Sequence, residues 1–368
     1  MQHKHYLKGI TSIRFFLAIV VVFMHCAQNL KGYDIFWGND APILKKGGLA
    51  VEYFFVLSGF LLTYLAYAEY QKKGKINIKA FFIRRVLRIF PLYYFAVFLG
   101  YLLLGFVYPM LNGQPYLEFT ITEGLPFHLF FLPNWIISKY LESVGSLYSL
   151  WSIGVEEQFY LFFPFLCSLL FKKKRLVWLF GLVTISYFIF YYTFQEYYPS
   201  SFPVTVKYFV HTLKFHFMFL GGFFALLFRK YRPHFKQLFD SAFQRTAVAI
   251  LFLLTLTAAI PILRYQLIYG SVFCLFLICL SLHPKVGINF ENNRLKYLGS
   301  ISYGVYIYHP IVSYPLRYFL ELVPSFFELV QTIPPVYYLA EIVLTVLTAH
   351  LSYQYFELYF LRMKKRFK

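Results

Sequence analysis

Ten apolar runs divide the chain, at 10–30, 47–68, 89–109, 153–171, 175–194, 207–228, 245–263, 266–283, 297–318 and 335–356, with polar residues gathered in short clusters between them. At about 1.5 Å per residue, a run of roughly 20 residues makes a helix of about 30 Å, the thickness of a bilayer's hydrocarbon core. The pattern predicts an all-α, polytopic membrane helical bundle with about ten transmembrane helices, forming one domain over 1–368. One further apolar stretch, 125–137 (LPFHLFFLPNWII), is too short to cross. A full crossing there would also reverse every later helix and place KKKR outside, so it is read as re-entrant or interfacial. Basic clusters fall in alternate connections: KKGKINIKAFFIRR, KKK, RKYRPHFK and the tail RMKKRFK, whereas 110–152, 195–206 and 319–334 hold one lysine, Lys139. The positive-inside rule then puts both termini in the cytoplasm. Two outer connections fit less well, 31–46 with Lys31, Lys45 and Lys46, and the turn near Arg264.

Composition narrows the class. Of the 368 residues 59% are hydrophobic and 14% charged, against about 25% charged in a soluble domain. The net charge of +19 does not point to nucleic acid, because the basic residues sit between apolar runs as membrane topology requires. Cys26, Cys167, Cys274 and Cys279 lie within apolar runs without a CxxC, so neither a disulfide framework nor a metal site is expected. The first run is too long for a signal peptide and lacks a small-residue cleavage site.

Ionisable side chains at membrane depth mark wet interiors or protein-facing stripes. Arg14 and His25 lie eleven residues apart, about 1,100° of helix, within ~20° of three whole turns. They share a stripe, about 16 Å apart along the axis; a snorkelling arginine and a hydrogen-bonded interior histidine are the plainer alternative. Glu52 lies at about the depth of His25 in the next, antiparallel span. A carboxylate beside an imidazole fixes its tautomer and raises its basicity, preparing a general base, although two buried groups also pair for structure alone. Arg85 and Arg88, at i and i+3 with Arg84 flanking, form a cluster that suits a phosphorylated donor such as acyl-coenzyme A or a nucleotide sugar, or anchors to anionic headgroups. In the fourth span Glu156 and Glu157 are about 100° apart. Glu156 shares a stripe with Tyr160 and Pro164 and is taken as the inward residue, with Glu157 the lesser candidate; both also suit a helix N-terminus. Lys214 in the sixth span is read chiefly as a structural partner for Glu52 or Glu156. Ser302, Tyr306 and His309 form a polar stripe on the ninth span, with Tyr303 beside it, and Glu357 is expected at the cytoplasmic surface. Sorted by depth, Arg84, Arg85, Arg88, Arg14, Ser302 and Tyr303 form an inner cationic layer. His25, Glu52, Glu156 and His309 form an outer acid–base layer.

Arg14 with His25, GGLAVEYFFVLSGF, RRVLRIFP, WSIGVEEQFYLFFP and SISYGVYIYHP occur together in an order that resembles the acyltransferase family 3 membrane proteins, bacterial enzymes that O-acylate cell-surface sugars. The resemblance runs over nearly the whole chain. Its motif residues imply roles for Arg14, His25, Glu52, Arg85, Arg88, Glu156 and the Ser302–Tyr303 pair; His25, Glu52, Glu156 and Arg14 are taken as catalytic, and Arg85, Arg88, Ser302 and Tyr303, with Arg84 added from the charge cluster, as donor-binding. It implies acyl-CoA, most simply acetyl-CoA, as cytoplasmic donor substrate, with no permanently bound cofactor and no metal. A hydroxyl of a cell-surface polysaccharide or glycolipid is the implied acceptor. Position 52 is Glu where Asp is common, and Tyr359 stands where the family often has Pro. The expected chemistry has His25, oriented by Glu52, deprotonating the acceptor hydroxyl or carrying the acyl group as an acyl-imidazole. Glu156 aligns the acceptor or relays the proton, and Arg14 or Tyr303 stabilises the oxyanion. The expected partners are the donor, the lipid-linked or polymeric sugar and membrane lipids, at the inner (cytoplasmic) membrane, with no relay through a fused serine domain within this sequence. The alternative is a non-catalytic glycolipid or proton-coupled transporter, which the lack of inverted-repeat similarity disfavours.

Overall fold

The computed structural model describes residues 7–35, 41, 45–140, 144–172, 176–257 and 265–367, the side chain of Lys365 excepted. Each predicted run contains one long helix, and the sixth run, 207–228, is broken at Leu213 and Lys214, with the short helix Val204–Thr212 ahead of its long one. The long helices are α1 (Ile10–Lys31), α2 (Gly47–Lys73), α3 (Ile78–Leu102), α4 (Leu150–Leu170), α5 (Leu176–Glu196), α6 (Phe215–Lys230), α7 (Ala242–Thr257), α8 (Gln266–Leu282), α9 (Asn293–Leu322) and α10 (Pro335–Ser352). The described chain is otherwise short helices and connections, with a small antiparallel ladder pairing Lys285 with Asn289 and Val286 with Ile288. Seven stretches, built on α1 to α6 and α10, are long and apolar enough to cross a membrane alone. The end of the predicted seventh run (258–263), Arg264, the turn 173–174 and positions 36–40 and 42–44 of the first outer connection lie outside the described residues. The molecule is an all-α, multi-pass membrane protein.

Two boundaries differ from expectation, and both move functional candidates. α3 begins at Ile78, where the Asn77 side chain accepts a hydrogen bond from the backbone N–H of Ala80 at 2.9 Å. Arg84, Arg85 and Arg88 are therefore helical and lie two to three turns inside α3, not ahead of it. The fourth crossing begins at Gly145, in a short 3₁₀ turn that leads into α4. Glu156 is thus about eleven residues, roughly 16 Å, into the crossing, near its middle rather than close to the outer end. The stretch 125–137 forms two short helices, Ile121–Leu129 and Pro133–Lys139, neither long enough to cross. The break between them is held by Gln158, whose Nε2 donates to the Phe131 carbonyl at 2.8 Å and to Asn134 Oδ1 at 2.9 Å.

Small residues set the closest helix approaches, as they do where backbones must touch in lipid. A Cβ on Gly59 would fall 1.9 Å from the Met218 carbonyl oxygen, and one on Gly221 2.0 Å from that of Val56, so α2 and α6 meet backbone to backbone. A Cβ on Gly299 would fall 1.9 Å from the Thr11 carbonyl oxygen, which brings the start of α9 against α1. Further out, Asn29 on α1 donates to Ser313 on α9 at 2.5 Å. The polar stripes of α1 and α9 consequently face each other along their length. Two π turns interrupt the helices, Leu103–Val107 beyond α3 and Tyr353–Glu357 beyond α10.

Gly299→Ala should separate α1 from α9 and cost about 1–3 kcal/mol as an overpacking change. Gly48→Ala, whose added Cβ meets nothing within 4 Å, should melt with the parent. Thermal unfolding of the detergent-purified proteins checks the pair.

Candidate functional site

A cavity of about 310 Å³ lies among α1, α2, α3, α4 and α9. Its lining includes Leu7 and Lys364, both beyond the membrane-spanning helices, so it reaches the face that the charge rule gives to the cytoplasm. Arg14 from α1 and Arg85 and Arg88 from α3 line it, together with Glu156 and Tyr160 from α4 and Ser302 and Tyr303 from α9. The helix phases explain the convergence: Arg14 lies on the α1 stripe that faces α9, and Arg85 and Arg88 are one turn apart on α3. Among the described residues, none of the three guanidiniums forms an ion pair within 4 Å of a carboxylate.

Glu156 is the one lining carboxylate. It interacts electrostatically with Arg14, Arg85 and Arg88 and accepts a 2.8 Å hydrogen bond from the Tyr160 hydroxyl, which is 2.5 Å from Ser58 Oγ on α2. It therefore belongs to the inner, cationic layer, and the expectation that placed it with His25 in the outer layer is not met. The displaced start of its helix is the cause. Arg85 also packs on the rings of Phe81 and Tyr160, its Cζ 5.7 and 5.5 Å from their centroids. The hydroxyls of Ser302 and Tyr303 donate to backbone carbonyls, Ser302 to Gly299 at 2.8 Å and Tyr303 to Ile89 at 3.1 Å. Both proteinaceous protons are committed before any ligand enters.

Tyr306 and Ser152 close the cavity's far end, their oxygens 2.7 Å apart. Beyond them stand two imidazoles. His309 is fully buried, its Nδ1 is 2.6 Å from the Tyr306 carbonyl, and its Nε2 has no partner among the described residues. A carbonyl only accepts, so Nδ1 carries the proton and Nε2 keeps a free lone pair. The ring of His25 lies 5.1 Å from that of His309 and 5.9 Å from that of Tyr148. Neither histidine lines the cavity, although Tyr306 touches both the cavity and the His309 ring, at 5.7 Å between centroids.

Glu52 is not the partner of His25. Its two oxygens accept from Lys214 Nζ and from the Tyr269 hydroxyl, on the side of α2 that faces α6 and α8. The physical reason is helical phase. The cavity-lining positions of α2 include Phe54 and Ser58, and Glu52 is turned about 160° from Phe54 and about 120° from Ser58. Lys214 reaches it from the break between the short helix Val204–Thr212 and α6, which bears out the structural role given to that lysine. Arg84 also falls outside the cavity, bound to Glu69 and to the Phe367 carbonyl. Glu157 is buried away from the cavity, and Glu357, expected at the surface, is buried against Ser352. Lys364 is a cavity residue that sequence inspection missed. Its signal, one lysine among the five basic residues of a tail, is indistinguishable from topogenic charge.

The molecule is thus a multi-pass helical membrane protein whose internal cavity is lined by three guanidiniums and one carboxylate. The acyltransferase domain of family 3 matches residues 7–353, and the chain belongs to that family. Among curated relatives, the O-acetyltransferase OatA of Staphylococcus aureus (strain NCTC 8325 / PS 47) is 27% identical over 391 residues, covering 97% of this chain and 57% of that protein. YrhL of Bacillus subtilis (strain 168), provisionally named a peptidoglycan O-acetyltransferase, is 27% identical over 382 residues, covering 97% of this chain and 55% of its own length. The chain thus spans little more than half the length of these relatives. No solved structure matches it.

Removing Lys214 strands a buried carboxylate. Lys214→Ala should destabilise the protein by about 3–5 kcal/mol, and adding Glu52→Gln should recover much of the loss. Thermal unfolding of the two singles and the double variant checks this.

Proposed function

We propose that this protein is a membrane O-acyltransferase of the inner (cytoplasmic) membrane, moving an acetyl group from cytoplasmic acetyl-CoA to a hydroxyl of a cell-surface polysaccharide or glycolipid. The observation that carries this reading is the unpaired cationic cavity open toward the cytoplasmic face. Buried charge without a protein partner is costly, and a phosphate-bearing ligand supplies the missing partner. Guanidiniums hold phosphates bidentately. The cavity volume, about 310 Å³, is at the small end of ligand pockets. In our reading it takes the pantetheine arm and acyl end, while the nucleotide phosphates stay at the mouth with Arg85 and Arg88.

The thioester then points past Tyr306 toward the two imidazoles. Acceptor oxygen attacks the thioester carbon; the C–O bond forms, the C–S bond breaks, and the hydroxyl proton passes through an imidazole to the coenzyme A sulfur. We assign the base to His25, with His309 Nε2 beside it as the proton acceptor next in line. Arg14 is the oxyanion partner in this scheme, because the Tyr303 proton is already given to Ile89. Glu156 acts on the donor side, holding the guanidiniums and Tyr160 in place. Glu52 serves the site at a distance, through the α2–α6–α8 packing that it shares with Lys214 and Tyr269.

His25→Ala should lose about 10²–10⁴ in kcat and retain the parent's melting temperature. Arg85→Ala and Arg88→Ala should each raise KM for acetyl-CoA about tenfold or more, with kcat less affected. Acetyl transfer by purified protein in nanodiscs to a muropeptide or glycan acceptor, followed by mass spectrometry, reads both. Transfer at the parental rate by His25→Ala overturns the imidazole mechanism, and an unchanged KM in the arginine variants overturns the donor site.

A further inference from the structure

Past α10 the chain continues through the π turn, the helix Leu358–Met363 and a 3₁₀ turn, Lys364–Phe367, and packs back against α3. Two contacts tie this segment to the cavity. Lys364 lines it. Arg84 Nη1 donates 3.0 Å to the Phe367 carbonyl while Nη2 lies 3.4 Å from Glu69 Oε2 on α2. Lys364 has no carboxylate within 4 Å among the described residues.

We infer that Lys364 is a donor-binding residue, a fourth cation of the cavity that joins Arg85 and Arg88 at the phosphates from the segment beyond α10, and that Arg84 is a positioning residue that latches this segment instead of touching the donor. The inference rests on reading the cavity as the coenzyme A site.

The groups lining the cavity with Lys364 are Arg14 from α1, Arg85 and Arg88 from α3, Glu156 and Tyr160 from α4 and Tyr303 from α9; outside it, Arg84 pairs with Glu69 of α2, and Glu357 acts on Arg88. Arginine outweighs carboxylate around the amine. Burial, and after it the Arg88, Arg85, Arg84 and Arg14 guanidiniums, pull the Lys364 ammonium down to about 6. In the empty site at pH 7.5 this amine is mostly neutral. Phosphates entering beside it favour the charged form and restore its proton. The bound state therefore holds more protons than the free state, and donor affinity falls as pH rises from about 6 toward the ordinary lysine value of about 10.4. A phosphate monoester or diester is the chemistry recognised, and it belongs equally to coenzyme A and to an anionic lipid headgroup.

Titration calorimetry of coenzyme A into the full chain separates these sources, run once in nanodiscs of zwitterionic lipid and once with anionic phosphatidylglycerol. With the parent protein in zwitterionic lipid, binding at pH 7.5 should take up a substantial fraction of one proton, read from buffers of different ionisation enthalpy. Lys364→Ala should bind about tenfold more weakly with the uptake gone. Lys364→Arg should keep the affinity and lose the uptake, since a guanidinium is already charged. Arg84→Ala should weaken binding by a similar factor, and the double variant Arg84→Ala/Lys364→Ala should be no weaker than Lys364→Ala alone. Unchanged coenzyme A affinity in Lys364→Ala, or an effect confined to anionic lipid, overturns the assignment of Lys364 while leaving the donor site intact. Additive losses in the double variant overturn the latch. A parent protein that binds no coenzyme A overturns the donor reading and this inference together.

Discussion

Positive charge held inside a membrane domain in excess of its one lining carboxylate, Glu156, is the constraint on which the rest of the molecule turns. Arg14, Arg85 and Arg88 come from two helices and repel one another, so the bundle must be held together by contacts that do not depend on them. Three kinds do this. Glycines bring backbones into contact, Gly299 between α9 and α1 and Gly59 with Gly221 between α2 and α6. Hydroxyls bridge helices around the cavity, Tyr160 to Ser58 and Tyr303 to the Ile89 carbonyl. Rings of Phe81 and Tyr160 lie against Arg85, an arrangement worth about 0.5–2 kcal/mol that asks nothing of a carboxylate. The charge is thus available to a ligand because the scaffold has been assembled around it by other means.

Helical periodicity made half of this site legible in the amino-acid sequence. Eleven residues bring a side chain back to one face, which placed Arg14 and His25 on the stripe that meets α9. The i, i+4, i+7 spacing of Ser302, Tyr306 and His309 placed their stripe opposite. What depth and phase between different helices decide was not legible. Glu52 matched His25 in depth, yet faces α6 and α8, because the rotation of α2 about its own axis is set by packing at Gly59. Glu156 was placed too far out because the apolar run that announces α4 begins several residues after the crossing does. Arg84 and Lys364 were beyond reach for a different reason: a cation near the cytoplasmic boundary looks alike whether it faces lipid, a backbone carbonyl or a ligand.

Two compartments follow from the Tyr306–Ser152 contact. On one side lies a cationic cavity with committed hydroxyls and a single carboxylate; on the other, two neutral-capable imidazoles with an unclaimed lone pair on His309. In the scheme proposed above, phosphate recognition and proton transfer ask for opposite electrostatics, since a strong positive field weakens a base, and one tyrosine separates the two environments.

The π turn at Tyr353–Glu357 sets the angular position of all that comes after it. One residue beyond the α-helical count rotates the following chain by about 100°, and Glu357 and Lys364 face inward only with that offset in place. The last crossing is therefore geared: α10 is fixed to α1 and α9 through buried Tyr337, Glu341, Thr345 and Ala349, and a single residue gained or lost between Ser352 and Lys364 would turn the lysine about 100° away from the cavity.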